Sequence, residues 1–139
     1  MIKVDTSDIE ILKTLNAGDI VSISGTIYTA RDAAHKKIFA LMKDNEPLPF
    51  PLRNSFVYYT GATPAKDGEP YGSCGPTTSK RMDVYTPDML DAGLKGIIGK
   101  GARTRARVRI IKKKFGEYDC PSLRKFSSGS IILNFLSAP

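Results

Sequence analysis

The stretch Gly75-Pro76-Thr77-Thr78-Ser79-Lys80-Arg81-Met82-Asp83 is the most informative part of this chain. A Gly-Pro turn is followed directly by two hydroxyl side chains and an arginine. We interpret Tyr71–Cys74 as the end of a strand and residues 79–83 as the beginning of a helix. Backbone N–H groups at such a turn suit an anion, and a guanidinium fits a carboxylate with two parallel hydrogen bonds. The stretch therefore predicts a pocket for a carboxylate or a phosphate.

The two threonines of this stretch have a second interpretation. Thr77 and Thr78 precede the predicted helix, where a hydroxyl can cap free backbone N–H groups. Threonine is also a poor base and a poor nucleophile unless a neighbour activates it. Arg81 lies one turn further along, so it can face the same point as a threonine side chain. From the residues alone, capping and ligand binding both stay open.

Two more cations stand at predicted strand ends. Arg31 follows a predicted strand over 20–28 and begins a predicted helix over 31–42, while Lys100 ends a predicted strand over 96–101 between two glycines. Sheets of α/β proteins bind small molecules beyond the carboxyl ends of their strands. A surface ion pair for Arg31 and a solvated turn for Lys100 are the alternatives. If these cations converge with the arginine of the first stretch, they suit a small dicarboxylate.

The other candidate chemistry is sparse. His35 is the only histidine, so it cannot form a multi-histidine metal site. We interpret it as a residue of the helix surface, or one that supports a site from behind, rather than as a catalytic base. Cys74 and Cys120 form no CxxC pair and are predicted to be reduced thiols. The sequence predicts no metal site on this chain.

Periodicity predicts an α/β fold in a single domain, a size that 139 residues suit. Helical spacing and period-2 alternation each recur along the chain, with turn residues between them. The predicted helices cover 5–16, 31–42 and 86–92, and the predicted strands cover 20–28, 55–60 and 96–101.

The net charge of +7 is unevenly distributed. Residues 1–99 hold 11 Lys/Arg and 12 Asp/Glu, whereas residues 100–139 hold 10 and 2. The body of the chain therefore gives no sign of binding nucleic acid or another polyanion. The basic tail keeps a nucleic-acid or acidic-partner module as an alternative function.

Localisation is predicted from what the sequence lacks. No apolar run approaches the roughly 20 residues that span a bilayer. The first residues, Met1-Ile2-Lys3-Val4-Asp5, do not form a charged-then-apolar signal segment. We therefore expect a cytoplasmic protein with no membrane partner.

Three segments together resemble a known family. They are Gly25-Thr26-x-x-x-x-Arg31-Asp32-x-x-His35, Gly75-Pro76-Thr77-Thr78-Ser79-x-Arg81-Met82 and Gly96-Ile97-Ile98-Gly99-Lys100-Gly101. In this order they are similar to the β subunit, or C-terminal domain, of iron–sulfur class I fumarate hydratases, and to the L-tartrate dehydratase β subunit. The resemblance assigns residues 1–101 to a fumarase β-type domain. It leaves 102–139 as a divergent or truncated basic tail, with completion of the same domain as the alternative.

The resemblance implies a swivelling β/β/α domain and a hydro-lyase reaction. Water would add reversibly to fumarate to give L-malate, or leave tartrate to give oxaloacetate. A [4Fe–4S] cluster would be carried by the partner α subunit of a hetero-oligomer, with none on this chain. Arg31, Arg81 and Lys100 would bind the substrate carboxylates, and Thr77 would take part in proton transfer with an acid from the partner. An inactive relative is the alternative that the unusual tail suggests.

Overall fold

The computed structural model describes residues 2–15, 19–100 and 131–135. Predictions that concern the arginine-rich segment 103–109 or Cys120 lie outside these residues. The strands are β1 (Ile2–Asp5), β2 (Val21–Ser24), β3 (Tyr28–Thr29), β4 (Phe56–Tyr58), β5 (Gly96–Lys100) and β6 (Ile131–Phe135). The helices are α1 (Asp32–Lys43), α2 (Thr86–Asp91) and two 3₁₀ helices, Ile9–Thr14 and Ser79–Met82.

The strands form two sheets. β1 and β2 pair in parallel, and a second sheet has the order β3-β4-β5-β6. In this second sheet β3, β4 and β5 are parallel to one another, and β6 is antiparallel to β5. The carboxyl ends of β3, β4 and β5 consequently lie at one edge, which is where α/β sheets present their ligand-binding residues. The predicted α/β class is confirmed, while the swivelling motion stays a prediction.

The central strands β4 and β5 contribute buried side chains to both faces of the four-stranded sheet. Val57 and Ile97 pack against Ile38 of α1 and Met89 of α2. Phe56 points to the opposite face, where it packs with residues that come from, or adjoin, the two-stranded sheet. Phe56 is fully buried, and burying a side chain of this size stabilises the fold by about 1.5–3 kcal/mol. The layers therefore hold the central sheet and its carboxyl edge in place.

Helix α1 confirms the helix predicted over 31–42. Its apolar residues recur at spacings of three and four, and Ile38 is 98% buried. The negative charge of Asp32 in the first turn and the positive charge of Lys43 in the last turn each interact favourably with the helix dipole. The helix begins directly after Arg31, so it fixes the position of the Arg31 backbone from which the side chain extends.

The helix predicted over 5–16 is wrong. Residues Ile2–Asp5 form strand β1, and only Ile9–Thr14 is helical, as a 3₁₀ helix. The apolar positions in this segment recur every three residues, which matches the three-residue turn of a 3₁₀ helix better than the 3.6-residue turn of an α-helix. Leu12 is buried here against Val4 and Phe56.

The single strand predicted over 20–28 is two strands in different sheets. Gly25 separates them with a φ of 110°, a conformation that side chains rarely allow. A side chain at this position would also meet the Thr6 hydroxyl. The chain therefore leaves the two-stranded sheet after β2 and enters the central sheet at β3.

The predicted strands over 55–60 and 96–101 are confirmed, with boundaries shifted by one or two residues. The helix predicted over 86–92 is confirmed as α2. None of the helices within the described residues combines the length and apolar character needed to cross a bilayer.

Candidate functional site

The predicted site residues gather at the carboxyl edge of the central sheet. Arg31 comes shortly after β3, the turn Tyr59–Gly61 follows β4, and Lys100 ends β5. These strands are adjacent and parallel, so their ends are neighbours. The topology thus brings together segments that lie up to 70 residues apart in the sequence.

The threonine stretch, Gly75–Asp83, lies across this edge between the ends of β4 and β5. The backbone N–H of Thr77 donates to the carbonyl of Tyr59 at 2.7 Å. The backbone N–H of Lys100 donates to the carbonyl of Thr77 at 3.3 Å, and Thr78 forms a parallel bridge with Lys100. The backbone of Thr77 is therefore fixed from both sides, while its side chain remains half-buried.

The structure corrects two interpretations of this stretch. Tyr71–Cys74 is a loop rather than the end of a strand, because its hydrogen bonds run to the Thr63 turn instead of along a sheet. The helix that follows is a 3₁₀ helix, Ser79–Met82, and Thr78 makes no side-chain capping bond to it. The capping interpretation of Thr78 is therefore wrong. The anion pocket cannot rest on a helix dipole here, since one 3₁₀ turn supplies little of it.

Two hydroxyl groups fasten the loop that leads into the site. The Thr60 hydroxyl donates to the carbonyl of Gly75 at 2.6 Å, and the Tyr58 hydroxyl donates to that of Cys74 at 3.1 Å. Burial raises the pKa of the Tyr58 phenol, and the Cys74 thiol beside it adds to the rise. The phenol therefore stays protonated at neutral pH and keeps its bond to the loop.

Replacing Thr60 with valine should lower the free energy of unfolding by about 1 kcal/mol. The change keeps the buried volume but removes the hydroxyl that donates to Gly75, and such a bond is worth about 0.5–1.5 kcal/mol. Urea denaturation of the full chain measures the effect. Thr29→Val, at an exposed position of β3, is the matched control and should change stability little. Equal stability of both variants would contradict a fastening role for Thr60.

Arg31 is anchored at its backbone by His35. The carbonyl of Arg31 accepts two bonds from this residue, from the backbone N–H at 2.9 Å and from Nδ1 at 2.8 Å. His35 is 99% buried and contacts the Tyr59 ring edge-on. The prediction of a surface histidine is wrong, whereas the alternative that it supports the site from behind agrees with this geometry. A side chain at Gly61 would meet Cδ of Arg31 at 3.0 Å, so glycine leaves room for the arginine stem.

Asp32 joins the two arginines. Its Oδ2 lies 3.7 Å from Nη2 of Arg31, and its Oδ1 lies 3.5 Å from Nε of Arg81. The ion pair considered as the alternative for Arg31 is therefore observed, and it extends to a second arginine. The sequence predicted only a neighbouring acid as the alternative partner of Arg31 and did not include Asp32 among the site residues. Its place beside Arg31 was a signal for one pair, but nothing local indicated the other.

The site as described holds three cations and one carboxylate. Arg31 and Arg81 converge on Asp32, while Lys100 meets the threonine stretch through its backbone and exposes its side chain. Between residues 2 and 100 and in β6, no three His, Cys, Asp or Glu side chains among those described form a group that could hold a metal ion. Such an excess of positive charge at a sheet edge can bind a small anion with more than one carboxylate.

Comparisons of the sequence with known proteins identify the family of this chain. The family model described as Fumarase C-terminus matches residues 1–120. The putative L(+)-tartrate dehydratase subunit beta of Methanocaldococcus jannaschii is 39% identical over 104 residues, which cover 73% of this chain and 53% of that protein. Fumarate hydratase 2 of Leishmania major is 39% identical over 102 residues, covering 73% of this chain and 18% of that protein.

A third relative extends the same pattern. The L(+)-tartrate dehydratase subunit beta of Escherichia coli strain K12 is 32% identical over 95 residues, or 66% of this chain and 46% of that protein. The chain thus spans about half the length of the two tartrate dehydratase subunits and less of the fumarate hydratase. The family match continues past residue 101, where the resemblance carried by the motifs stopped. With its ordered motifs and its matched family model, the chain belongs to the fumarase C-terminal family.

Proposed function

We propose that this chain is the β-type component of a hydro-lyase that reversibly adds water to fumarate, giving L-malate. The observation that carries the proposal is the gathering of Arg31, Thr77, Arg81 and Lys100 at the carboxyl ends of three adjacent parallel strands. These are the positions that match the family motifs. Relatives named fumarate hydratase and tartrate dehydratase subunit beta support the same reaction class.

The cations of the site are proposed to hold the substrate. Arg31 and Arg81 present planar guanidinium groups that can each bind a carboxylate with two hydrogen bonds. Lys100 supplies a compact third charge from the end of β5. A dicarboxylate held at both ends reacts in one orientation, which lowers the entropic part of the barrier.

The same residues are proposed to assist the proton transfer. When the C3 proton leaves malate, negative charge builds up on the adjacent carboxylate, and nearby cations stabilise that charge. Thr77 is the proposed participant in the transfer. Its backbone is held by hydrogen bonds to Tyr59 and Lys100, so the Cα atom that carries the side chain has a fixed position. Because a threonine alone is a poor base, the proposal includes an acid from the partner subunit.

The proposal places a [4Fe–4S] cluster on a partner α subunit, as the resemblance implies. The described residues do not offer a ligand set for it. No step assigned to this chain therefore runs through the cluster. The complete enzyme is proposed to be a cytoplasmic hetero-oligomer in which this domain closes over the substrate by swivelling.

Tartrate dehydration to oxaloacetate is the second candidate. It is favoured by relatives whose names describe a separate β subunit, and these relatives are matched over about half their length. The two reactions share the dicarboxylate frame and differ by one hydroxyl on the substrate. Side chains of this site that bind carboxylates would serve both.

Anaerobic reconstitution with the iron–sulfur partner tests both candidates. The mixed subunits should hydrate fumarate, and the decrease in the ultraviolet absorbance of fumarate measures this reaction. Each subunit alone should be inactive. Oxaloacetate formation from L-tartrate, with no turnover of fumarate, would select the second candidate. A formed complex with an intact cluster that acts on neither substrate would contradict the proposed function.

A further inference from the structure

One carboxylate lies between the two arginines of the site. Asp32 uses different oxygens for them, Oδ2 toward Arg31 at 3.7 Å and Oδ1 toward Arg81 at 3.5 Å. The Asp32–Arg81 pair joins α1 to the 3₁₀ helix Ser79–Met82, although these two residues are almost 50 positions apart in the sequence. The link is therefore a tertiary contact within the site itself.

Both arginines would lose a constraint without this carboxylate. Their side chains are 43% and 57% exposed, so solvent competes for each guanidinium. Two like charges directed to one place repel each other, and an arginine side chain gains much conformational freedom when it is released. Arg81 is the more exposed of the two and stands on a helix of only four residues.

The backbone that carries the Asp32 carboxylate is held in place by hydrogen bonds and packing. Asp32 is the first residue of α1, and the carbonyl just before it is held by two bonds from His35. His35 is buried against Tyr59, whose backbone carbonyl holds Thr77. The position of Asp32 is thus tied to the same core that fixes the threonine stretch.

We propose that Asp32 is a positioning residue that sets the separation of Arg31 and Arg81 before a dicarboxylate binds. This inference rests on the proposed function. Asp32 does not contact the substrate in this role, and it acts through the arginines. Since the proposed contacts of both arginines with the substrate carboxylates already form in the ground state, the loss of Asp32 is expected to raise KM more than it lowers kcat.

Kinetics of the reconstituted complex test the role. Asp32→Asn should raise KM for the dicarboxylate about 3- to 10-fold, as expected for losing partly exposed ion pairs, with kcat changed less than about 3-fold. Asp32→Glu restores the charge and should recover most of the lost affinity. Asp88→Asn, which removes an acid from the first turn of α2, controls for a mere helix-end effect and should leave KM unchanged.

Two kinetic results would overturn the inference. An unchanged KM in Asp32→Asn would show that the carboxylate does not position the arginines. If Asp32→Asn lowers stability as much as Asp88→Asn does and leaves KM unchanged, Asp32 only stabilises the N-terminal end of its helix.

A second readout does not depend on activity. The ¹⁵N signal of Arg81 Nε in the full chain should show faster side-chain motion in Asp32→Asn than in the unaltered protein, with Arg81→Lys identifying the signal. Unchanged motion would also overturn the inference. Inactive wild-type complex with the expected NMR change would contradict the proposed function while leaving the Asp32 link established.

Discussion

Replacing Arg81 with alanine is expected to lower kcat/KM of the reconstituted hydro-lyase by about 10²- to 10³-fold. Truncating one member of a charged pair in a binding site costs about 2–5 kcal/mol, and each 1.4 kcal/mol is a factor of ten. In the free site Nε of this guanidinium lies 3.5 Å from Oδ1 of Asp32. Its loss leaves one substrate carboxylate without its proposed planar partner. Steady-state rates with fumarate and L-tartrate measure the effect.

The conservative variant separates charge from shape. Arg81→Lys keeps a positive charge but cannot form two parallel hydrogen bonds, so we expect a smaller loss, about 10-fold. Lys80→Ala removes an exposed cation from the same short helix and is the matched control. It should retain nearly full activity. If Arg81→Ala and Lys80→Ala behave alike, Arg81 does not bind substrate and the proposed site is wrong.

The sequence predicted best where one element is long or flanked by clear turns. Helix α1 has three turns with an apolar stripe, and β5 is a short apolar run that begins three residues after the positive-φ Gly93. In such segments the local pattern and the tertiary packing demand the same structure. For that reason the helical spacing after Arg31 and the short apolar run before Lys100 sufficed to place these two residues at the ends of elements.

Prediction failed where a local pattern suited two structures. The alternation over 20–28 suits one strand, yet Gly25 turns the chain between two sheets. The apolar residues in 5–16 recur every three positions, which is close to the period of an α-helix but matches that of a 3₁₀ helix better. The sequence of Tyr71–Cys74 predicts the end of a strand, but its hydrogen bonds go to the Thr63 turn and to the Tyr58 hydroxyl of β4. Of these errors, the one over Tyr71–Cys74 comes from hydrogen bonds with residues 10 and 16 positions away in the sequence.

The candidate site was predictable as a list of residues but not as an arrangement. The motifs supplied Arg31, Thr77, Arg81 and Lys100. The sequence could not predict that these residues converge, so the proposed dicarboxylate pocket had to assume it. The double pairing of Asp32 depends on how α1 meets the 3₁₀ helix, and no local pattern encodes that meeting. The burial of His35 depends on the same packing, since Tyr59 and Tyr85 surround its ring.

Gly99 marks the point where packing and the site meet, and Gly99→Ala is expected to disturb both. A methyl group there would meet the Ser79 hydroxyl, and Cδ2 of Tyr59 at 2.8 Å. Both neighbours are about 99% buried or more, so neither can move into solvent. Overpacking of this kind costs about 1–3 kcal/mol of stability. Tyr59 also holds the backbone of Thr77, so we expect kcat/KM to fall about 10-fold as the site shifts.

The Ser79 hydroxyl allows a sharper version of this test. It has no hydrogen-bond partner among the residues that the structure describes, so Ser79→Ala alone should be neutral or slightly stabilising. In the Gly99→Ala background the same change removes one of the two clashes and should restore part of the lost stability. A coupling of about 0.5–3 kcal/mol between the two changes is expected for residues in contact.

Urea unfolding of the four proteins in this cycle measures the coupling. Gly75→Ala is the control for adding a methyl group to the same region, because open space surrounds that position. Additive effects of Ser79→Ala and Gly99→Ala would contradict the contact. A stable Gly99→Ala protein with full activity would contradict it more strongly, since the threonine stretch would then tolerate a side chain where the fold leaves no room for one. The expected coupling would instead mean that the close approach of Ser79 to β5 holds Thr77 and Lys100 in register.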